Sequence, residues 1–129
     1  MSAFSEALGV TASALKAQAD RLRIVSENIA NADTPGYRRK TVPFEAHATD
    51  GGIDSVAIGD IRLSDVALDR VYDPAHPLAD ETGHYEGSNV DMIIEIADAR
   101  EAQRSYEANL KMFEQTRQMS SGLMELLRR

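Results

Sequence analysis

The residues best suited to chemistry lie between positions 73 and 84. Asp73, His76, Asp80, Glu81 and His84 fall within a dozen positions, and imidazole and carboxylate donors so close together could hold a zinc ion or a harder cation. Their spacing matches no metal signature: there is no H-E-x-x-H helix, and the chain has no cysteine to supply a thiolate. Acidic turns containing Asp-Pro and Thr-Gly read more simply as solvated loops. No serine sits in a G-x-S-x-G elbow, and neither a G-x-G-x-x-G run nor a Walker loop occurs. Carboxylate pairs can be chosen almost anywhere in so acidic a segment, so they select no mechanism. His47 stands alone. The sequence points away from an enzyme and calls for no cofactor and no metal.

The other concentration of reactive charge is Arg38-Arg39-Lys40. Residues 1–40 hold six basic and four acidic side chains; residues 41–89 hold two and ten; residues 90–129 hold six and seven. An acidic middle between nearly balanced ends divides the chain into 1–40, 41–89 and 90–129. A net charge of −7, and a basic trio with no interleaved aromatics, make nucleic acid a poor partner. The trio is either a solvated run or a contact for an acidic protein surface. No apolar run approaches the roughly 20 residues that span a bilayer, so direct membrane insertion is not expected.

Two long helices must position these groups. From Ser2 to Asn31 there is no proline and a single glycine, Gly9. Leu8, Leu15, Leu22 and Ile29 recur every seventh residue, with Ala12, Ala19 and Ser26 four after each leucine, the spacing of a helix packed along a 3.5-residue seam. From Val90 the device repeats. Met92, Ala99, Tyr106, Phe113 and Leu127 form one column; Ile96, Leu110 and Met124 form the other, interrupted by Gln103 and Arg117. Ser88-x-x-Asp91 has capping-box spacing, with Asn89 a rival cap. Glu107–Lys111 and Glu125–Arg129 are i,i+4 pairs, and Arg128 and Arg129 suit the negative end of a helix dipole.

Both seams mix large residues with many small ones. A two-helix coil so thinly furnished is marginal in water, so the seams call for neighbouring subunits as well as for each other. In the middle, Gly51-Gly52 signals a turn, and Ile61-Arg62-Leu63 and Arg70-Val71-Tyr72 alternate like short strands. Tyr72 to Asn89, rich in Asp, Pro and Gly, reads as irregular. The expected fold is mainly α: long N- and C-terminal helices forming a coiled-coil pair, with a small β-containing middle.

Between the first helix and the basic trio, Thr34-Pro35-Gly36-Tyr37 fits a type II turn. Asn31 and Asp33 suit a helix end closed by left-handed geometry and side-chain bonds to backbone. The whole run Asn28-Ile-Ala-Asn-Ala-Asp-Thr-Pro-Gly-Tyr-Arg-Arg-Lys40 resembles the N-terminal signature of the bacterial flagellar axial family of rod, hook and hook-associated proteins. Ser26 to Tyr37 matches its S-x-N-I-A-N-x-x-T-x-G-Y/F pattern. Tyr72-Asp-Pro-Ala-His-Pro-Leu-Ala-Asp80, followed by Gly83-His-Tyr and Ser88-Asn-Val-Asp, is similar to the short proximal-rod branch, as is Arg104-Ser-Tyr-Glu-Ala-Asn-Leu110. The chain departs at His84-Tyr85, where the family places the aromatic directly after the glycine.

The resemblance implies a structural subunit of the hollow rod that transmits torque, located in the basal body across the periplasm. It implies export through the flagellar type III channel without a cleaved signal. The implied partners are other rod proteins, adjacent basal-body and export-gate components, and further copies of the chain. Leu8, Leu15, Leu22 and Ile29 are then expected to pack on Tyr106, Leu110, Phe113 and Leu127, within or between chains, with Asn109 also at a subunit interface. Asn28, Asn31, Pro35 and Gly36 would shape the loop, and Tyr37, Arg38 and Arg39 would meet neighbouring subunits. A soluble helical adaptor or export chaperone is the competing reading, since acidic helical hairpins suit client helices.

Overall fold

Nothing between Ser2 and Ala30 breaks a helix, and the computed structural model, which describes residues 2–128, shows one helix, α1, over that span. The second helix, α2, runs Met92–Leu127. At about 1.5 Å per residue they are about 43 and 54 Å long. The expected cap of α2 is corrected: Asp91 is the N-cap, its carboxylate accepting from Ile93 N at 3.0 Å. Ser88 and Asn89 lie outside the helix with their side chains engaged elsewhere. At the far end Arg128 N donates to Glu125 O at 3.2 Å. The expected Glu125–Arg129 pair lies outside the described residues, and Glu107–Lys111 is not among the ion pairs of the described residues.

The helices pack antiparallel. Asn28 of α1 bonds to Glu95 of α2, while Arg21, two turns earlier, lies 3.9 Å from Asp98 and 3.6 Å from Glu101. As residue numbers fall along one helix they rise along the other. Among the described residues the buried apolar side chains are Ala17, Ile24, Val25 and Ala102. They make up a small core on the two helices.

The middle forms three two-stranded antiparallel sheets. β1 (Lys40–Thr41) pairs with β4 (Arg62–Leu63), and β5 (Arg70–Tyr72) pairs with β6 (His84–Glu86). β2 (Phe44–Thr49) and β3 (Gly52–Ile58) form a hairpin with a register shift between His47 and Ala48. β3 lies against α1, with Val56 N donating to Ser13 Oγ at 2.8 Å. The strands at 62–63 and 70–72 fall where the sequence alternates. β6 falls in a stretch expected to be irregular, because the pairing partner of Tyr72 lies across the turn that Gly83 makes at φ +81.

This is little core for two long helices. A compact monomer of 14.1 kDa exposes about 6,700 Å² by the usual mass scaling, whereas this chain exposes 8995 Å². No described helix is long and apolar enough to cross a membrane.

Candidate functional site

The loop after α1 turns back onto the start of α2, and polar groups of both helices hold it there. Tyr37 N donates to Thr34 O at 3.1 Å with Gly36 at φ +75, the geometry of the expected type II turn. Asn31 Nδ2 donates to Glu27 O at 2.9 Å and Asn31 Oδ1 accepts from Thr34 Oγ1 at 3.0 Å. The expected left-handed helix end is corrected: no described residue other than glycine has positive φ. Backbone turns, with Asn31 N donating to Glu27 O at 3.1 Å and Ala32 N to Ile29 O at 3.2 Å, close the end of α1 together with the Asn31 side chain.

Asn28 is the centre of the clasp. It is 1% exposed, and its amide uses its full hydrogen-bonding capacity. Nδ2 donates to Lys40 O at 2.8 Å and to Glu95 Oε2 at 3.3 Å; Oδ1 accepts from Tyr37 Oη at 2.8 Å and Lys40 N at 2.9 Å. One side chain thus joins the end of α1, the loop, β1 and α2. Burial, and then the nearby Glu27 charge, raise the Tyr37 hydroxyl above the ordinary phenolic range. The phenol therefore stays a donor to Asn28 through neutral pH.

Glu95 is fully buried in the first turns of α2. A carboxylate in that position is tolerated only when paired and hydrogen-bonded. Arg39 Nε donates to Glu95 Oε1, and Arg39 Nη2 donates to Asp98 Oδ2 at 2.7 Å. The backbone N of Arg39 donates to Asn89 Oδ1 at 2.6 Å, and Asn89 Nδ2 donates to Val66 O at 3.0 Å. Ser88 Oγ donates to Ala32 O. Beside them Lys40 Nζ pairs with Glu27, which holds its ammonium above the ordinary lysine range.

The expected site residues fall into two groups. Asn28, Asn31, Tyr37 and Arg39 meet in the clasp, with Pro35 and Gly36 at the exposed turn. Tyr37 and Arg39 direct their polar atoms inward, while exposed Arg38 donates to Ser64 O at 3.1 Å. The basic trio is therefore neither a solvated run nor wholly free for a partner. The second group is the seam. Leu8, Leu15, Leu22 and Ile29 are half-buried, while Ala12, Ala19 and Ser26 are exposed. The buried face of α1 centres on Ala17, Ile24 and Asn28, so the heptad column forms its flank. On α2, Tyr106, Asn109 and Phe113 are half-buried, whereas Leu110 is 37% and Leu127 70% exposed.

Glu27, Asn89, Glu95 and Asp98 were not foreseen as site residues, and Lys40 only as part of the basic trio. Glu95 alone left a local signal, an acid inside the apolar run Met92-Ile-Ile-Glu-Ile96.

The acidic loop has a structural use. Asp80 Oδ1 accepts from Thr82 N at 2.9 Å, Thr82 Oγ1 at 2.6 Å and His84 N at 3.1 Å. The Thr82 hydroxyl, then the His84 amide, hold the Asp80 carboxyl below its usual range. His76 Nδ1 accepts from Leu78 N at 3.1 Å, and its ring stacks on Tyr85 at 3.9 Å. Among the described residues no three His, Asp or Glu converge on a cation.

Two family descriptions match the chain. Residues 1–38 match the flagella basal body rod protein family, and residues 81–126 match the C-terminal region of flagellar basal body rod FlgEFG proteins. The flagellar basal-body rod protein FlgC of Agrobacterium fabrum (strain C58) is 43% identical, over 99% of this chain and 98% of that protein. FlgC of Escherichia coli O6:H1 is 36% identical, over 85% and 87%, and FlgC of Bacillus subtilis (strain 168) is 32% identical, over 98% and 99%.

Proposed function

The chain belongs to the FlgC family of flagellar basal-body rod proteins, structural subunits rather than enzymes, and from that premise we propose that it builds the proximal rod by coiled-coil packing of its terminal helices against neighbouring subunits. One observation carries the reading: the chain exposes 8995 Å², about a third more than its mass warrants as a compact monomer. The flank of α1 formed by Leu8, Leu15, Leu22 and Ile29 with Ala12, Ala19 and Ser26 is half-covered and has coiled-coil spacing. Small residues along it allow a neighbouring helix to approach closely.

The clasp gives such a subunit stiffness where its helices meet. Tied at Asn28 and Glu95, α1 and α2 cannot splay at that end, so torque applied to one helix passes to the other. The rod reading places the subunit across the periplasm, reached through the flagellar export channel, beside other rod proteins and the export-gate components.

Ala19→Glu tests the packing directly, because Ala19 is exposed in the single chain. The variant keeps the helicity of the purified protein, is absent from isolated basal bodies, and does not support swimming. Leu15→Asp and Leu22→Asp do the same with some loss of stability. Normal swimming by Ala19→Glu and Leu22→Asp cells would overturn the proposal.

A further inference from the structure

We infer that Asp50–Gly51, at the tip of the β2–β3 hairpin, is a site of spontaneous covalent modification, where aspartate rearranges to isoaspartate. Of all the aspartates and asparagines in the chain only Asp50 is followed by glycine; at every other the next residue carries a side chain. The rearrangement requires the next backbone nitrogen to reach the side-chain carboxyl, and a side chain on that next residue crowds the approach. Glycine, without a Cβ, leaves it open.

The tip leaves both reacting groups free. Asp50, Gly51 and Gly52 are exposed, and no hydrogen bond among the described residues engages the Asp50 carboxylate or the Gly51 amide. Asp73, Asp80, Asp91 and Asp98, by contrast, have carboxylate oxygens held by hydrogen bonds. The two glycines of the tip serve the fold differently. Gly52 has φ +114 and pairs with Thr49 to close the hairpin, a conformation that disfavours a side chain. Gly51 does not have positive φ, and a Cβ on it meets nothing within 4 Å. Neither backbone conformation nor packing calls for glycine at 51, so what its missing side chain changes is the reactivity of Asp50.

The Gly51 nitrogen attacks the side-chain carboxyl carbon of Asp50. An N–C bond forms, a C–O bond breaks, and the amide hydrogen leaves with the carboxyl hydroxyl as water, giving a cyclic succinimide. Water then adds back across one of the two carbonyl–nitrogen bonds of the ring. Opening at the side-chain carbonyl restores aspartate; opening at the main-chain carbonyl gives isoaspartate, with the chain now running through the side-chain carbons. Mass and charge are unchanged, and water is the sole co-reactant. The product puts an extra backbone atom between Thr49 and Gly52, which loosens the pairs that close the hairpin. Val56 N bonds to Ser13 Oγ at 2.8 Å and anchors β3 on α1, so the disturbance stays at the tip. Because the change is spontaneous, its extent records the time since the chain was made.

The test holds the purified full-length chain for weeks at physiological temperature and pH and then digests it with trypsin. The tryptic peptide 41–62 carries Asp50, Asp54 and Asp60, and chromatography with electron-transfer fragmentation resolves isoaspartate in it and places it by residue. Isoaspartate at position 50 exceeds that at 54 and 60 several-fold, with no change of mass. Amide exchange in the aged chain rises at Thr49 and Gly52 and stays unchanged at Val56. Gly51→Ala, which the backbone admits, keeps the helicity of the parent chain and slows the change at position 50 several-fold. An aged chain without isoaspartate at position 50, or with equal amounts at all three positions, would overturn the inference, as would an unchanged rate in Gly51→Ala. None of these outcomes bears on the rod assignment.

Discussion

Arg39 reaches across 56 positions of sequence to Glu95, whose carboxylate has no exposure to solvent. The relationship fixes the loop after α1 onto α2 and makes the acid acceptable in the interior. Arg39→Ala leaves that charge buried without its cation, which costs about 3–5 kcal/mol. Replacing both partners, as in Arg39→Met with Glu95→Met, costs much less, because no charge then remains to be desolvated. Urea denaturation of the two variants checks this; equal losses would show that the pair acts only through packing.

Tyr37 gives the clasp an alkaline limit. Its folded-state pKa lies above the unfolded value of 10.0, so its contribution is complete below pH 10 and is lost as pH rises through the folded value. Lys40, also raised, acts in the same direction at slightly higher pH. Asp80, lowered from 3.8, acts oppositely: its contribution is present above that value and is lost as pH falls. Between these limits the contribution of the three groups is constant. Tyr37→Phe lowers the plateau, by about 1 kcal/mol for one lost hydrogen bond, and flattens the alkaline fall. Chemical denaturation between pH 7 and 11 reads both effects.

The two helices were legible because each is a long stretch without proline and with seven-residue recurrence. Their contact faces were less so. Recurrence picks out the large residues Leu8, Leu15 and Leu22, whereas the buried apolar positions are Ala17, Ile24, Val25 and Ala102 and the leucines are half-buried. The start of α2 was misplaced because Ser88-x-x-Asp91 has the spacing of a cap, and only the folded chain shows Ser88 bonded to Ala32. Strands 62–63 and 70–72 carry alternation. β2 was not foreseen, although Phe44-Glu-Ala-His-Ala-Thr49 alternates as well, and the strand is exposed along its whole length. The clasp joins residues far apart in sequence, and no local pattern links Asn28 to Glu95.

Two left-handed glycines separate backbone strain from crowding. A Cβ on Gly36 (φ +75) meets nothing within 4 Å, whereas one on Gly83 (φ +81) lies 2.8 Å from the Tyr72 ring. Gly36→Ala therefore costs only the left-handed penalty, about 1–2 kcal/mol. Gly83→Ala costs more and unpairs β5 from β6. Amide exchange at Tyr72 and His84 rises in the second variant and stays at the wild-type rate in the first.

The last expectation sets the interior against the exposed end of α2. Ile24 is 2% exposed and Leu126 66%, though both are large apolar residues on long helices. Ile24→Ala opens a cavity between α1 and α2 and lowers the stability of the purified chain by about 2–5 kcal/mol. Leu126→Asp removes no intramolecular packing of that kind, and its unfolding free energy stays within about 0.5 kcal/mol of the wild type. In cells the order reverses. If, as proposed, a neighbouring subunit covers the end of α2 in the rod, Leu126→Asp lowers incorporation into basal bodies, while Ile24→Ala chains that fold are still incorporated. Denaturation of the purified variants and quantitation of each in isolated basal bodies give the two orders, and a Leu126→Asp chain that assembles normally would place that turn outside the subunit contacts.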